Sequence, residues 1–330
     1  SLNPSVQRIT LNQGQESSSP IVGLYRNMAR VNSLRKILKQ ESPDITLSLM
    51  WSCNILLALA SYGLKDLITI GSEHTHPPKV RIGFIWRAMR KYLYGSLSAV
   101  TALTSQTASW IKENTTARNV VVIQNAIKWP IPNSEPIVLP ADKGFLPEHH
   151  VIVAVGRLVK LKQIDALIEA FSGVSPNLPD WRIAIVGDGP ERESLETLIA
   201  EKGLQDKIAL VGLAGNVGDW YRVADIYVMT SVYEGLPNTL IEALSYGVPA
   251  ISFDCDSGPR EIIRDGIDGF LVPPNDVVSL AVKLDELIRN NDLRDKFSMR
   301  AEEARDRFSL ERISDEWETL FSGLLKAESR

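Results

Sequence analysis

The chain is poor in cysteine, with 2 in 330 residues, Cys53 and Cys255. Two scattered thiols exclude a disulfide-framed domain and suit a reducing compartment. No apolar run approaches the roughly 18 residues that a membrane-spanning helix needs. The stretch 55–60 is short enough to be buried core. The opening Ser1-Leu-Asn-Pro-Ser lacks a basic region followed by an apolar one, so it does not read as a secretory leader. It also lacks an initiator Met. No repeat of solenoid length occurs, and residues 14–20 are the one low-complexity tract.

What is present is ordinary for a globular protein: 44% apolar and 23% charged residues. The length suits two medium domains or one large one. The net charge of -4 hides an asymmetry. Residues 1–140 hold 15 Lys/Arg against 7 Asp/Glu, and residues 141–330 hold 21 against 33. A basic half suits phosphate groups or an anionic membrane surface; a solvated surface explains it equally well.

Five prolines between residues 128 and 147 mark an extended linker. The parts are then 1–130, a linker at 131–150, 151–307, and a last segment at 308–330. After the linker, short apolar runs at 151–155, 181–186, 208–211, 226–229, 250–253 and 270–272 alternate with amphipathic patterns. This predicts a buried parallel sheet in a doubly wound α/β domain. The first part alternates in the same way. A strand is expected at 6–11 and a helix at 25–40, with strands at 45–49, 67–70, 99–103 and 120–123.

One segment carries the chemistry: Glu234-Gly-Leu-Pro-Asn-Thr-Leu-Ile-Glu242. It reads as loop into helix, directly after the strand at 226–229. Pro237 suits a first helical turn, where its missing N–H costs nothing. Gly235 allows close backbone approach to a ligand. The free N–H groups of Asn238, Thr239 and Leu240 are expected to face an anion at the helix N-terminus. Glu242, inside the helix, can accept hydrogen bonds from vicinal hydroxyls such as those of a ribose. Glu234 lies beside any sugar attached to the phosphate. Gly156, Arg157 and Lys162 follow the first strand of this domain, at the strand end where open α/β sheets bind ligands. An Arg and a Lys there can neutralise a diphosphate leaving group without a metal. The blander alternatives are a plain strand-to-helix turn and two surface cations.

Gly156-Arg157…Lys162, Gly187-Asp-Gly-Pro-Glu191, Glu234-Gly-Leu-Pro…Glu242-Ala-Leu and Gly258-Pro-Arg-Glu261 follow in the order seen in glycosyltransferase family 4. The chain resembles that family strongly over 150–290. Asn125-Ala-Ile127 and Ser72-Glu-His74 extend the likeness more weakly. The resemblance implies retaining enzymes of the GT-B fold, with two Rossmann-like doubly wound domains facing a cleft. It implies that a final helix, here 308–325 with Ile313, Trp317, Leu320 and Phe321 on one face, crosses back to the first domain. It also implies that His74 and Glu234 position the donor sugar, and that the base rests near Gly212 and Leu213. Leu236 belongs with the donor loop. Gln163 and Ala126 stand where the family often has Gly. The family's opening strand and glycine-rich loop are missing, which predicts a truncation of about 50 residues before a complete domain.

Weaker signals remain. Asp254-Cys-Asp256 matches a metal motif of another transferase fold. His74 and His76 read as a metal pair or as plain loop histidines. No acidic residue occurs from Thr75 to Lys112, while Lys79, Arg81, Arg87, Arg90 and Lys91 alternate with Phe84, Ile85, Trp86, Tyr92 and Tyr94. That pattern suits a membrane interface or lipid-linked diphosphate at 79–94, a solvated face, or nucleic acid without a recognition motif.

The expected function is transfer of a sugar, with retention, from a nucleotide diphosphate donor to a hydroxyl of a glycan or lipid-linked saccharide. The family favours a UDP-sugar donor, no cofactor or metal, no nucleic acid partner, and a cytoplasmic site with contact to the membrane's cytoplasmic face. The likeness is to enzymes that extend lipid-linked oligosaccharides, N-acetylgalactosaminyl and hexosyl transferases among them. The alternative is a non-catalytic nucleotide-sugar-binding subunit or inactive fragment.

Overall fold

The computed structural model describes residues 6–11, 20–174 and 178–328. The low-complexity tract at 14–20 lies outside them, save for Pro20. The first half contains α1 (Pro20–Glu41), β1 (Ile45–Leu49), α2 (Trp51–Ser61), β2 (Ile68–Glu73), α3 (Phe84–Leu93), β3 (Ala99–Ala102), α4 (Ser105–Asn114) and β4 (Val120–Val122). Its four strands pair in parallel in the order β1-β2-β3-β4. The apolar α2 and the inner face of α3 cover one side of this sheet, around Ile55, Leu57, Tyr94 and Val100.

The second half contains β5 (His150–Val155), α5 (Ile164–Val174), β6 (Trp181–Val186), α6 (Arg192–Glu201), β7 (Ile208–Gly212), α7 (Val217–Arg222), β8 (Ile226–Met229), α8 (Asn238–Ser245), β9 (Ala250–Phe253), α9 (Pro259–Ile262) and β10 (Gly269–Val272). Then come α10 (Val277–Arg289), α11 (Asn291–Ala301), α12 (Ala304–Arg307) and α13 (Leu310–Glu328). The six strands are parallel, in the order β10-β9-β8-β5-β6-β7. Apolar clusters fill both faces, which explains why β5, β6 and β8 are continuous apolar runs rather than alternating ones. The strand order reverses between β5 and β8. At such a switch point the outgoing loops diverge and leave a crevice at the carboxyl ends.

One expectation needs correction. Residues 6–11 form no strand: Val6, Ile9 and Leu11 stay exposed, and among the described residues no strand pairs with the outer edge of β1. The proline-rich segment is strapped onto the second half by hydrogen bonds. Ser134 N donates to Gly215 O at 2.9 Å, Val138 N to Asn216 Oδ1 at 2.9 Å and Trp220 Nε1 to Val138 O at 3.1 Å. A Cβ on Gly215 would lie 1.9 Å from Ser134 O, so the strap requires glycine there.

Helix α13 returns to the first sheet. Trp317, Leu320, Phe321 and Leu324 pack on Ile45, Ile68, Ile70 and Ala99, with Ile127 N donating to Phe308 O at 2.9 Å just before the helix. Among the described residues no helix is long and apolar enough to cross a membrane.

Candidate functional site

The crevice at the β5/β8 switch point gathers most of the residues singled out in the sequence. Its floor is backbone. Gly156 N donates to Val186 O at 3.0 Å, and Gly187 N donates to Gly212 O at 2.8 Å. A Cβ on Gly187, whose φ is 138°, would meet Gly156 O at 1.9 Å. The Gly187-Asp-Gly-Pro motif therefore braces the loop after β5. Gly212 takes φ 86° and turns Leu213 outward, where it is exposed.

Lys162 does not open a helix. It ends a short 3-10 turn, Lys160–Lys162, and Gln163 follows with φ 44° before α5 starts. A left-handed backbone explains why glycine suits position 163. Thr230 Oγ1 donates to Lys162 O at 2.8 Å, and Val232 N donates to Leu161 O at 2.9 Å. These bonds tie the loop after β5 to the loop after β8. They deliver Lys162 Nζ to Glu234 Oε1 at 2.5 Å, with both side chains largely covered. Arg157 is exposed, and its guanidinium has no ion pair among the described residues.

Helix α8 starts at Asn238, with Pro237 capping it instead of forming its first turn. Leu240 N is not free: it donates to Pro237 O at 3.1 Å, because the first turn closes tightly. The amides of Asn238 and Thr239 remain at the helix opening. Leu236 is buried in the core of the second half, so only its backbone borders the crevice. Tyr227 O–H donates to Thr239 Oγ1 at 2.8 Å, and Tyr221 O–H donates to Glu242 Oε2 at 3.0 Å. Burial pushes the Glu242 carboxyl above its ordinary value, and the Tyr221 hydrogen bond pulls it back.

His74 reaches this site from the other half. A Cβ on Gly235 would lie 2.3 Å from His74 O, so the two halves are in backbone contact at Gly235. His74 Nε2 pairs with Ser72 Oγ at 3.1 Å, and burial lowers its pKa, favouring the neutral ring. His76 turns instead to Thr107 Oγ1 at 3.4 Å, so the two histidines do not converge. Asp254 accepts from Arg260, and Asp256 from Lys79 at 2.8 Å, which sets these carboxylates on separate cations. Beside His74, a cavity of about 310 Å³ opens between the first sheet and α13, lined by Ser72, Leu103, Asn125, Ile313 and Trp317.

Sequence reading missed the seam that holds this arrangement. Ser257 Oγ donates to Gly235 O at 3.1 Å and lies 2.8 Å from Thr104 Oγ1. Ser257 N donates to Gln106 Oε1 at 2.9 Å, and Ser105 N donates to Glu261 Oε1 at 2.9 Å. Asn125 Nδ2 donates to Asn238 Oδ1 at 2.9 Å. Gly258-Pro-Arg-Glu261 was the available signal: Gly258 takes φ 103°, and Glu261 faces the start of α4.

Two Rossmann-like halves, joined across a cleft and tied by a returning helix, define a protein of the GT-B fold. Residues 139–304 match the family glycosyl transferases group 1, and residues 15–128 match glycosyltransferase family 4. The chain belongs to the glycosyl transferases group 1 family. It is 33% identical over 303 residues to an exopolysaccharide phosphotransferase of Streptomyces coelicolor, covering 88% of this chain and 30% of that protein. It is 29% identical over 296 residues to an N-acetylgalactosaminyltransferase of Campylobacter jejuni, named for an undecaprenol-diphosphate-linked saccharide, covering 89% and 79%. HepE of Anabaena, solved in complex with UDP, superposes with a TM-score of 0.77 at 18% identity, over 92% of this chain and 84% of that one. The chain thus spans less than a third of the Streptomyces relative.

Proposed function

We propose that this protein transfers a sugar from a nucleotide diphosphate donor, a UDP-sugar, to a hydroxyl of a glycan or lipid-linked saccharide, with retention and without a metal. The observation that carries this reading is the Lys162–Glu234 pair at the switch point, with exposed Arg157, which has no ion pair among the described residues, following strand β5. The diphosphate would draw Lys162 and Arg157 to itself and free Glu234 to hold the sugar. Glu242, oriented by Tyr221, would accept the ribose hydroxyls through its second oxygen. The amides of Asn238 and Thr239 would face phosphate, and the base would rest against Leu213. Gly156, Gly212, Gly235 and Pro237 shape the backbone around the donor.

In the transfer, the bond from the anomeric carbon to the phosphate oxygen breaks. The acceptor oxygen bonds to the same face, and its proton leaves on the diphosphate. Neutral His74 would hold a sugar hydroxyl at that carbon. The Campylobacter relative's name supports a lipid-linked acceptor, and with it work at the cytoplasmic membrane face through residues 79–94. The test is UDP release from a donor panel with a lipid-linked saccharide acceptor, with and without chelator. Donor-specific release that survives chelator is expected; no release with any donor would reject the reading.

Among the described residues no strand pairs with the outer edge of β1, which favours a second reading, a nucleotide-sugar-binding part without turnover. It predicts UDP binding without release from any donor and acceptor pair.

A further inference from the structure

The basic, aromatic stretch after His74 separates in the structure into an inner and an outer set. On α3, Trp86 turns inward and meets Trp51 edge-on at 5.5 Å. Met89 and Leu93 join the core, and Arg90 is buried with its guanidinium 4.6 Å from the Trp110 ring centre. Lys79 is drawn away to Asp256. What remains outside is Phe84, Ile85 and Tyr92, which are 81%, 71% and 65% exposed, with Arg81, Arg87 and Lys91.

At 100° per residue, Phe84, Ala88, Tyr92 and Ile85 occupy one continuous sector, and Arg87 and Lys91 form its margin. Single exposed apolar side chains are ordinary on protein surfaces. Three large ones together on a ten-residue helix, edged by cations that have no ion pair among the described residues, are not what a solvated face needs.

We propose that this outer face of α3 docks the protein on an anionic lipid bilayer. The helix would lie in the interfacial plane, with Phe84, Ile85 and Tyr92 among the upper acyl chains. Arg81, Arg87 and Lys91 would meet headgroup phosphates. Charge complementarity selects this occupant. No carboxylate lies between Thr75 and Lys112, and residues 1–140 carry a surplus of eight positive charges, whereas the remainder carries a negative surplus of twelve. A negative surface would therefore attract the first half and turn the second half away. Aliphatic Ile85, 71% exposed at the edge of the sector away from the cations, favours lipid over stacked bases. The proposal deepens the reading of a lipid-linked acceptor, but vesicle binding needs neither donor nor turnover, so each can fail alone.

The test is flotation of the full chain with phosphatidylcholine vesicles, with and without a minority of phosphatidylglycerol. Binding is expected only with phosphatidylglycerol, and it should weaken as salt rises. Phe84→Ser with Ile85→Ser, and separately Arg87→Gln with Lys91→Gln, should each weaken it at least about tenfold. All four side chains are solvent-facing, so thermal unfolding should not move; Ile85→Ser alone is the milder variant if the double one misfolds. Equal binding to both vesicle types, unchanged binding by the variants, or tighter binding to a single-stranded RNA oligonucleotide would overturn the proposal.

Discussion

The six-stranded and four-stranded sheets use the same parallel strand-and-helix unit, yet they treat their carboxyl ends differently. The larger sheet reverses its order between β5 and β8, so two loops part over a crevice that holds Arg157, Lys162 and Glu234. The smaller sheet runs from β1 to β4 in sequence order, with no reversal and no strand on the outer edge of β1 among the described residues. One half therefore makes a pocket by topology alone. The other contributes a loop, His74, and a wall shared with α13. Open α/β sheets bind ligands where the strand order turns, and here the neighbouring half supplies the facing loop and wall.

Five outcomes sharpen or break this contrast. The largest should come from Lys162→Ala. Removing one preorganised cation from a developing diphosphate charge costs about 10²–10³-fold in turnover. Steady-state UDP release measures it, and because the largely covered Glu234 loses its cation, thermal unfolding should fall as well. Gly235→Ala comes next, because its Cβ would collide with a carbonyl of the other half. Misplacing the two halves by about an ångström should lower turnover about a hundredfold, while UDP affinity falls far less. If Gly235→Ala leaves turnover intact, the halves need not meet there.

A third outcome concerns the smaller sheet. Burial pushes the Glu73 carboxyl up to about 7, opposed by the Tyr94 hydrogen bond and the nearby Arg90 charge. A raised folded-state value means that stability is fully present below about 4.5 and is lost as pH rises through about 7. The loss is about 3 kcal/mol, from the size of the shift. Glu73→Gln should flatten the dependence of thermal unfolding on pH between these values; a parallel curve would show that Glu73 is not its source. Tyr221→Phe should weaken UDP binding by roughly 0.5–1.5 kcal/mol, the worth of one hydrogen bond, read by calorimetry. The smallest effect belongs to Lys79→Ala. Its pair with Asp256 is half exposed, so unfolding should change by about 0.2–1 kcal/mol.

The two halves were also unequally legible in sequence. Strands β5 to β10 announce themselves as apolar runs because both faces are buried, and the loops between them carry motifs with a local meaning. Glu234, Lys162 and Glu242 could be named because strand ends and helix starts dictate where they fall. The pairing of Lys162 with Glu234 was not legible, since it depends on β5 and β8 lying side by side, 72 residues apart in the chain. Residues 6–11 looked like a strand by composition, but a strand also needs a partner. The capture of Leu240 N by Pro237 O depends on how tightly one turn closes, which no residue pattern specifies. The seam through Ser257, Thr104 and Gln106 joins side chains about 150 positions apart, and only the glycine at 258 hinted at it.

The contrast rests finally on where the nucleotide binds. Titration calorimetry of UDP against the parent chain and Glu242→Ala, side by side, addresses this directly. Loss of a charged partner for the ribose hydroxyls costs about 1.5–3 kcal/mol, so the variant should bind at least about tenfold more weakly. Equal affinity in the two proteins would contradict the placement of the donor at the β5/β8 crevice.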